Sequence, residues 1–324
     1  MNKTTALVSI GLPVYNGENF VAEAIESHLS QTLTDFELVI SDNGSTDATE
    51  EICRDFAKRD SRIRYHRADV NRGIRWNLPR VFHLARGEYF RWAAHDDVIA
   101  PTMLEACVEV LAHDPTVVLC MPKTLVIDGV SRIVEFPEGH FTSGCVGEHN
   151  EHERLRLLAS DEPAERFRGV LLMSLRCHEV FGLVRRQQMA RTGLYRGYNG
   201  SEKVLLAELA LMGRYVELDE PLFYNRWHDQ RASANRRGAG QNQVVDPRKS
   251  NRVAVPHEIR CGLGYLSLIP GADISRRERL RCLGVFGRFV LQLEKWPHIV
   301  TKLVTGKSNT ALVEPGRARG ERVG

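Results

Sequence analysis

Leu7-Val8-Ser9-Ile10-Gly11-Leu12-Pro13-Val14-Tyr15-Asn16-Gly17 and Phe36-Glu37-Leu38-Val39-Ile40-Ser41-Asp42-Asn43-Gly44-Ser45-Thr46-Asp47 follow one plan. Each is a short apolar run that breaks into a polar, turn-forming loop. The runs read as buried strands. Between them, Phe20, Val21, Ala24, Ile25 and Leu29 recur at helical spacing. Asp47 and Glu50 read as a capping box that opens a helix to about Lys58. The plan then repeats. Residues 62–66 read as a strand, Asn71-Arg72-Gly73 as a loop, and residues 77–85 as a helix with Pro79 in its first turn. Residues 89–93 form a fourth strand, 101–112 a helix, and 117–121 a fifth strand. Strands that alternate with helices of this length predict an α/β fold. Its sheet is Rossmann-like and mostly parallel, with helices on both faces. Such sheets bind ligands beyond the carboxyl ends of their strands. The loops 13–16, 42–47, 66–73 and 95–97 all follow strands, so four polar loops converge on one edge.

The second half is less regular. Residues 151–159 read as a helix and 180–184 as a short strand. Ser201 is placed to cap a helix over 202–212, with Leu205, Leu209 and Met212 on one face and Gly213 as its stop. Residues 221–224 are strand-like. The expected organisation is a catalytic unit over 1–234, made of a ligand-binding half (1–128) and a second half (129–234). A mobile loop follows at 235–256, then C-terminal helices over 257–304 and a disordered tail over 305–324. Ser275 and Glu278 read as a capping box for a helix reaching about Trp296, with Leu280, Leu283, Phe286, Val290 and Leu293 on one face. Packing on the catalytic unit accounts for that stripe. The arginines beside it also suit an anionic membrane surface.

Composition narrows the function classes. A chain of 324 residues can bury one large core with an appendage. The formal net charge of +3 gives no argument for a nucleic-acid partner. Arginines do cluster at 226–252 and 276–288, as solvated faces or as the footprint of an acidic partner. The seven cysteines are widely spaced and contain no CxxC, which argues against a disulfide framework and a structural zinc site. Residues 1–5 lack the pattern of a signal peptide, and no uncharged apolar run is long enough to span a membrane. The expectation is a soluble, cytoplasmic protein, open to peripheral contact with the inner membrane face.

Asp96-Asp97 is the pair most able to carry chemistry. Two adjacent carboxylates at a strand end repel unless a cation neutralises them, as a hard divalent ion with phosphate ligands would. The alternative is a surface pair that caps the helix after Pro101. Tyr15 is placed to stack on a base, and 42–47 offers hydrogen bonds to a base or ribose. Both segments also read as ordinary loops.

Taken together and in order, 8–17, 37–47, Asn71-Arg72-Gly73, Gly87-Glu88-Tyr89 and His95-Asp96-Asp97 resemble the family 2 glycosyltransferases of GT-A fold and bacterial type. The resemblance is strong over 7–128, weaker to about Ser233, and absent beyond. It implies a nucleoside diphosphate-sugar donor, with UDP favoured, and Mn²⁺ or Mg²⁺ as cofactor. It also implies a carbohydrate or lipid-linked acceptor and inversion at the anomeric carbon, in cell-surface polysaccharide or glycolipid synthesis. Pro13, Tyr15 and Asp42 or Asn43 would contact the nucleobase, Asn16 would belong to the same donor-binding set, and Asn71 and Gly73 would line the nucleotide pocket. Asn43 stands where many relatives carry a second Asp, and Ala94 where many carry a further Asp. The implied metal ligand is therefore Asp97, with Asp96 toward the ribose or metal side. Glu202, in Gly200-Ser201-Glu202-Lys203, falls at the family's catalytic base, with Glu208 a lesser alternative and His178-Glu179 a weak acceptor-side candidate. His228 resembles a late metal or diphosphate contact, and Arg226 and Arg231 are placed to clamp phosphate oxygens. Two other readings stay open. Asn43 and Ala94 suit a non-catalytic nucleotide-sugar-binding protein. A sugar nucleotidyltransferase shares the architecture, but its first loop usually carries a basic residue, absent from 13–17.

Overall fold

The computed structural model describes residues 5–134, 148–174, 177–229, 257–292 and 318–322. Strands β1 (Val8–Val14), β2 (Phe36–Asp42), β3 (Ile63–Arg67) and β4 (Tyr89–Trp92) lie parallel in the order β3-β2-β1-β4. Helices α1 (Val21–Leu29), α2 (Thr49–Arg59) and α3 (Ile74–Leu84) connect them. The pleat sends alternate residues to opposite faces. Val8, Ile10, Leu12 and Val14 of β1 enter one core with Val21 and Ile25 of α1, Cys53 and Phe56 of α2, and Leu104 and Leu111 of α4 (Met103–His113). Val39, Phe90 and Trp92 face the other way, into a core shared with Val81 and Phe82 of α3. Gly11 faces this second core. A Cβ there would stand 2.8 Å from Phe90 Cε2 of β4 and 3.0 Å from Val81 Cγ1 of α3, so the close packing of both on β1 needs glycine.

The second half extends this parallel unit with strands of both directions. After β5 (Val98–Ile99), β6 (Val117–Ile127) and β7 (Arg132–Val134) come α5 (Glu148–Leu158), α6 (Pro163–Arg168), β8 (Leu183–Arg185), α7 (Arg186–Ala190), α8 (Ser201–Met212) and β9 (Arg214–Arg226). β8 lies between β4 and β6, antiparallel to both. β9 runs parallel to β6 and antiparallel to β5, which carries the far end of β9 back to the loop after β4. The sequence marks only 221–224 of β9, because Glu217, Asp219 and Glu220 break its apolar pattern. It likewise marks only the first half of β6.

Several local expectations change. Asp47 and Glu50 do not form a capping box. Asp47 accepts the Thr49 and Glu18 backbone N–H groups, and Glu50 pairs with Arg54 and Arg67. α3 starts at Ile74, directly after Gly73, so Pro79 lies past the first turn. Ser201 is buried in the first turn of α8, and Gly200 (φ +85°) is its N-cap. Val204, Leu205, Leu206, Ala207, Leu209, Ala210 and Leu211 are all buried, so α8 is a central helix rather than a one-faced one.

At the C-terminal end, α9 (His257–Gly271) and α10 (Arg276–Val290) form a hairpin against α6 and α8. Ser275 does cap α10, accepting from the Glu278 backbone N–H at 3.2 Å. The packed face of α10 is Cys282, Val285, Phe286 and Phe289. Leu280, Leu283 and Val290 are exposed, so packing does not account for that part of the apolar stripe. α10 ends at Val290, and Leu293 and Trp296 lie outside the described residues, as do Arg231 and the loop 235–256. Within the expected tail, β10 (Ala318–Arg322) pairs antiparallel with β7, a backbone pairing that needs no apolar side chains. No described cysteine is in a disulfide, and no described helix is long and apolar enough to cross a membrane.

Candidate active site

The first two loops are held together across the sheet edge, where Val14 of β1 lies beside Asp42 of β2. Asn16, at φ +51°, donates its backbone N–H to Ser45 Oγ at 3.0 Å, and its Oδ1 accepts the Thr46 backbone N–H at 2.9 Å. Gly17 donates its N–H to Thr49 Oγ1 at 2.8 Å. Tyr15, just before these bonds, is 40% exposed.

Asp42 is fully buried. Its Oδ1 accepts from Ser45 N and Oγ at 2.8 and 2.7 Å, and its Oδ2 accepts from the Tyr65 hydroxyl at 2.6 Å. The carboxylate shapes the loop from inside, so the expected base contact does not fit Asp42. Asn43 reaches the third loop instead. Its Oδ1 accepts the Arg72 backbone N–H and its Nδ2 donates to Asn71 Oδ1, both at 3.0 Å. Asn71 Oδ1 also accepts the Gly73 N–H at 2.8 Å, with Gly73 at φ +82°. Beyond this loop Trp76 lies between the guanidinium groups of Arg72 and Arg80, at 4.8 and 4.7 Å from its ring centre.

The fourth loop separates its two carboxylates. Asp97 points inward. Its Oδ1 accepts from Arg226 N at 2.8 Å and Asn225 Nδ2 at 3.1 Å, and its Oδ2 is buried without a hydrogen bond. Burial and the neighbouring Asp96 charge push its pKa up to about 8, against the two donated hydrogen bonds. Asp96 points outward, with its side chain 13% exposed and Oδ2 at 2.9 Å from His228 Nε2. Burial raises its pKa, but the His228 bond and the His95 and His228 charges outweigh that and hold it below the ordinary carboxylate value. Asp97, the expected metal ligand, is thus the buried member of the pair.

Arg226 also departs from expectation. Its side chain is 1% exposed. The guanidinium donates to Asp96 O at 2.7 Å, Asp128 O at 3.1 Å, Ser131 Oγ at 2.9 Å and Glu23 Oε2 at 2.6 Å. It is a buried brace for the Asp96-Asp97 loop, not a free phosphate clamp. The Phe20 ring lies against both Arg226 and His228, with its centre 4.9 Å from the Arg226 carbon and 4.6 Å from the imidazole centre. Sequence reasoning missed Phe20, Glu23 and Asn225. Nothing local sets them apart, because their partners lie far away along the chain.

Glu202 is half-buried in the first turn of α8. Its charge is felt by Tyr195, Tyr198 and Cys261. Tyr195 packs edge-on against Trp92, 5.2 Å between centres, at the end of β4 just before the carboxylate loop. Glu208 is committed to Gly193 N and Arg196, and Glu179 is buried against Arg154. Neither faces this region as an available carboxylate.

Asp96 and His228 set a carboxylate beside an imidazole, their side chains 13% and 10% exposed. Among the described residues no group of three or more His, Cys, Asp or Glu stands ready to hold a metal. Two protein donors still fit Mg²⁺ or Mn²⁺, which commonly take most of their remaining ligands from substrate phosphates and water.

Residues 9–146 match the family model described as Glycosyl transferase family 2. This stretch is a family 2 glycosyltransferase domain. Within it the chain is 33% identical over 110 residues to an uncharacterized glycosyltransferase of Rickettsia typhi, covering 34% of this chain and 33% of that protein. It is 40% identical over 104 residues to the uncharacterized glycosyltransferase EpsJ of Bacillus subtilis, covering 32% of this chain and 30% of that one. The chondroitin synthase of Escherichia coli matches at 35% over 112 residues, 35% of this chain and 16% of the synthase. The matched stretch thus spans a third or less of these relatives. The fold likeness reaches further. TarS residues 1–349 from S. aureus, in complex with UDP, superposes with a TM-score of 0.58 at 15% identity, over 92% of this chain and 75% of that 1–349 chain. The mannosyltransferase PcManGT from Pyrobaculum calidifontis, in complex with GDP-Man and Mn²⁺, gives 0.55 at 14% identity, over 94% and 89%. The domain with its C-terminal additions therefore has the GT-A fold.

Proposed function

We propose that the protein transfers a sugar, with inversion, from a nucleoside diphosphate-sugar to an acceptor hydroxyl on a carbohydrate or lipid-linked molecule. The observation that carries this reading is the meeting of four strand-end loops with the Asp96–His228 pair on one sheet edge. Tyr15 and Pro13 bound the base subsite, and Asn43, Asn71 and Gly73 fix its far wall. UDP is the favoured nucleotide, in line with TarS, which was crystallised with UDP and with UDP-GlcNAc. Asp96 and His228, rather than Asp97, are the residues that would hold a divalent cation. Such a cation, when bound, offsets the charge on the departing diphosphate. Asp97, Asn225 and Arg226 act behind them by fixing the loop.

Glu202 is the proposed base. It takes the proton of the acceptor hydroxyl while the hydroxyl oxygen attacks the anomeric carbon opposite the diphosphate. Tyr195 and Tyr198 lie within reach of its charge, and keeping water scarce there favours proton transfer from the acceptor hydroxyl to Glu202.

Two measurements test this. Thermal shift with UDP-, GDP- and dTDP-sugars, with and without Mn²⁺, should give stabilisation that grows with donor concentration for one nucleotide. Transfer with that donor should fall about 10²–10³-fold in Asp96→Ala and about 10²–10⁴-fold in Glu202→Gln. Donor binding without turnover by the unaltered chain would favour a non-catalytic nucleotide-sugar-binding protein. Full activity in both variants would sink the mechanism.

A further inference from the structure

The α9–α10 hairpin has one satisfied face and one unsatisfied face. Inward, Cys261, Tyr265, Leu268 and Ile269 of α9 and Cys282 and Val285 of α10 are buried, with Tyr265 and Phe289 edge-to-face at 5.4 Å. Arg281 bridges Glu162, Glu165 and Glu278, and Glu278 accepts the Ala164 N–H, so the hairpin is also fastened to α6 by charge. Cys261 Sγ lies 3.3 Å from Gly200 O, which ties α9 to the helix start that bears Glu202.

Outward, Leu280, Leu283, Val290 and Leu291 follow one side of α10, with Leu280 69% and Leu291 70% exposed. Gly284 and Gly287 lie between them, and a Cβ on either would meet nothing within 4 Å. Leu263 (64%) and Leu266 are exposed on α9. Single exposed leucines are ordinary, but a stripe at helical spacing on a helix whose other side is packed marks a contact surface.

Charge selects the partner. Residues 257–292 contain six arginines against three acidic residues. Glu278 is turned inward, and Asp273 in the turn is the one exposed carboxylate of the hairpin among the described residues. Arg276, Arg277 and Arg288 are exposed along the leucine stripe and form no ion pair with a described residue. The stripe has no exposed Trp or Tyr of the kind that anchors protein interfaces. Branched aliphatic side chains flanked by arginines are instead what a surface of apolar chains under anionic headgroups accommodates. We infer that the outer face of the α9–α10 hairpin docks on an anionic lipid surface. This contact stands independently of the transfer reaction. If both hold, a lipid-linked acceptor would meet the protein on the element tied to Glu202.

The test is co-sedimentation of the full chain with phosphatidylcholine vesicles, with and without about 30% phosphatidylglycerol. Binding should require the anionic lipid and weaken as salt rises. Leu280→Glu with Leu283→Glu should lower the partition coefficient at least about 10-fold, with the melting transition retained. Arg276→Gln, Arg277→Gln and Arg288→Gln together should lower it by up to about two orders of magnitude, from the worth of each basic residue near an anionic surface. No binding to anionic vesicles, or binding unchanged in the leucine variant, would overturn the inference. So would a concentration-dependent dimer that the leucine variant abolishes, because the face would then belong to a second copy. Donor binding, measured on the same samples by thermal shift, reports separately on the nucleotide-sugar reading.

Discussion

The loop edge of the sheet and the C-terminal hairpin break the usual partition of side chains in opposite directions. At the edge, polar and charged groups are buried: Asp42, Asn43, Asp97 and Arg226 are all nearly inaccessible. On the hairpin, Leu263, Leu280 and Leu291 stand in water. Burying polar groups costs folding free energy unless they are hydrogen-bonded, whereas an exposed leucine forgoes the gain of burial. At the edge almost every buried polar atom is hydrogen-bonded, so desolvation is offset within the protein. On the hairpin's outer face nothing within the described residues covers the leucines, and the lipid surface inferred above would cover them. Buried polar groups therefore mark where the protein arranges itself for a ligand. Exposed apolar groups mark where it awaits one.

The sharpest way to break this comparison is at Arg226. Arg226→Met keeps much of the volume but leaves Glu23 and the Asp96 and Asp128 carbonyls without their donor. We expect a loss of about 3–5 kcal/mol in urea unfolding. A loss below about 1 kcal/mol would mean the brace is not structural.

Asp97 gives a subtler effect with a defined sign. Its folded pKa, pushed up to about 8, lies above the ordinary unfolded value of about 3.9. Between those pH values the folded state binds more protons than the unfolded one. This group's contribution to stability is therefore full below about pH 4 and is lost as pH rises toward 8. In chelator, the unaltered protein should lose about 1–3 kcal/mol more than Asp97→Asn between pH 5 and 8. Parallel curves for the two proteins would refute the inward, desolvated placement of Asp97.

The smallest effect belongs to the hairpin. In water without lipid, Leu280→Ser with Leu283→Ser should change folding stability by no more than about 0.5 kcal/mol, as for other surface sites. A loss of 2 kcal/mol or more would show that these leucines are packed, and the contrast between the two regions would fail.

Much of this was legible in the sequence. The strand-loop-helix plan of 7–128 is written in local apolar periodicity, and local periodicity decides which backbone segments can bury one face. The four polar loops fall at strand ends for the same reason, so the existence and edge of the site follow from one dimension. The Ser275 cap was legible too, because its partner is three residues away. The C-terminal stripe was visible as apolar spacing, but which residues pack and which face solvent was not. That depends on the angle at which α10 meets α6, set in part by the long-range Arg281 ion pairs.

What the sequence alone determined, then, is an α/β sheet whose strand-end loops carry a carboxylate pair. Only the tertiary structure decided which carboxylate faces outward. Asp96 and His228 are 132 residues apart, and they meet because β9 pairs with β5. That same pairing brings the Arg226 backbone N–H and Asn225 onto Asp97 and turns it inward. Adjacent aspartates are equivalent to any local rule. Hydrogen bonds from a strand more than a hundred residues later make them different.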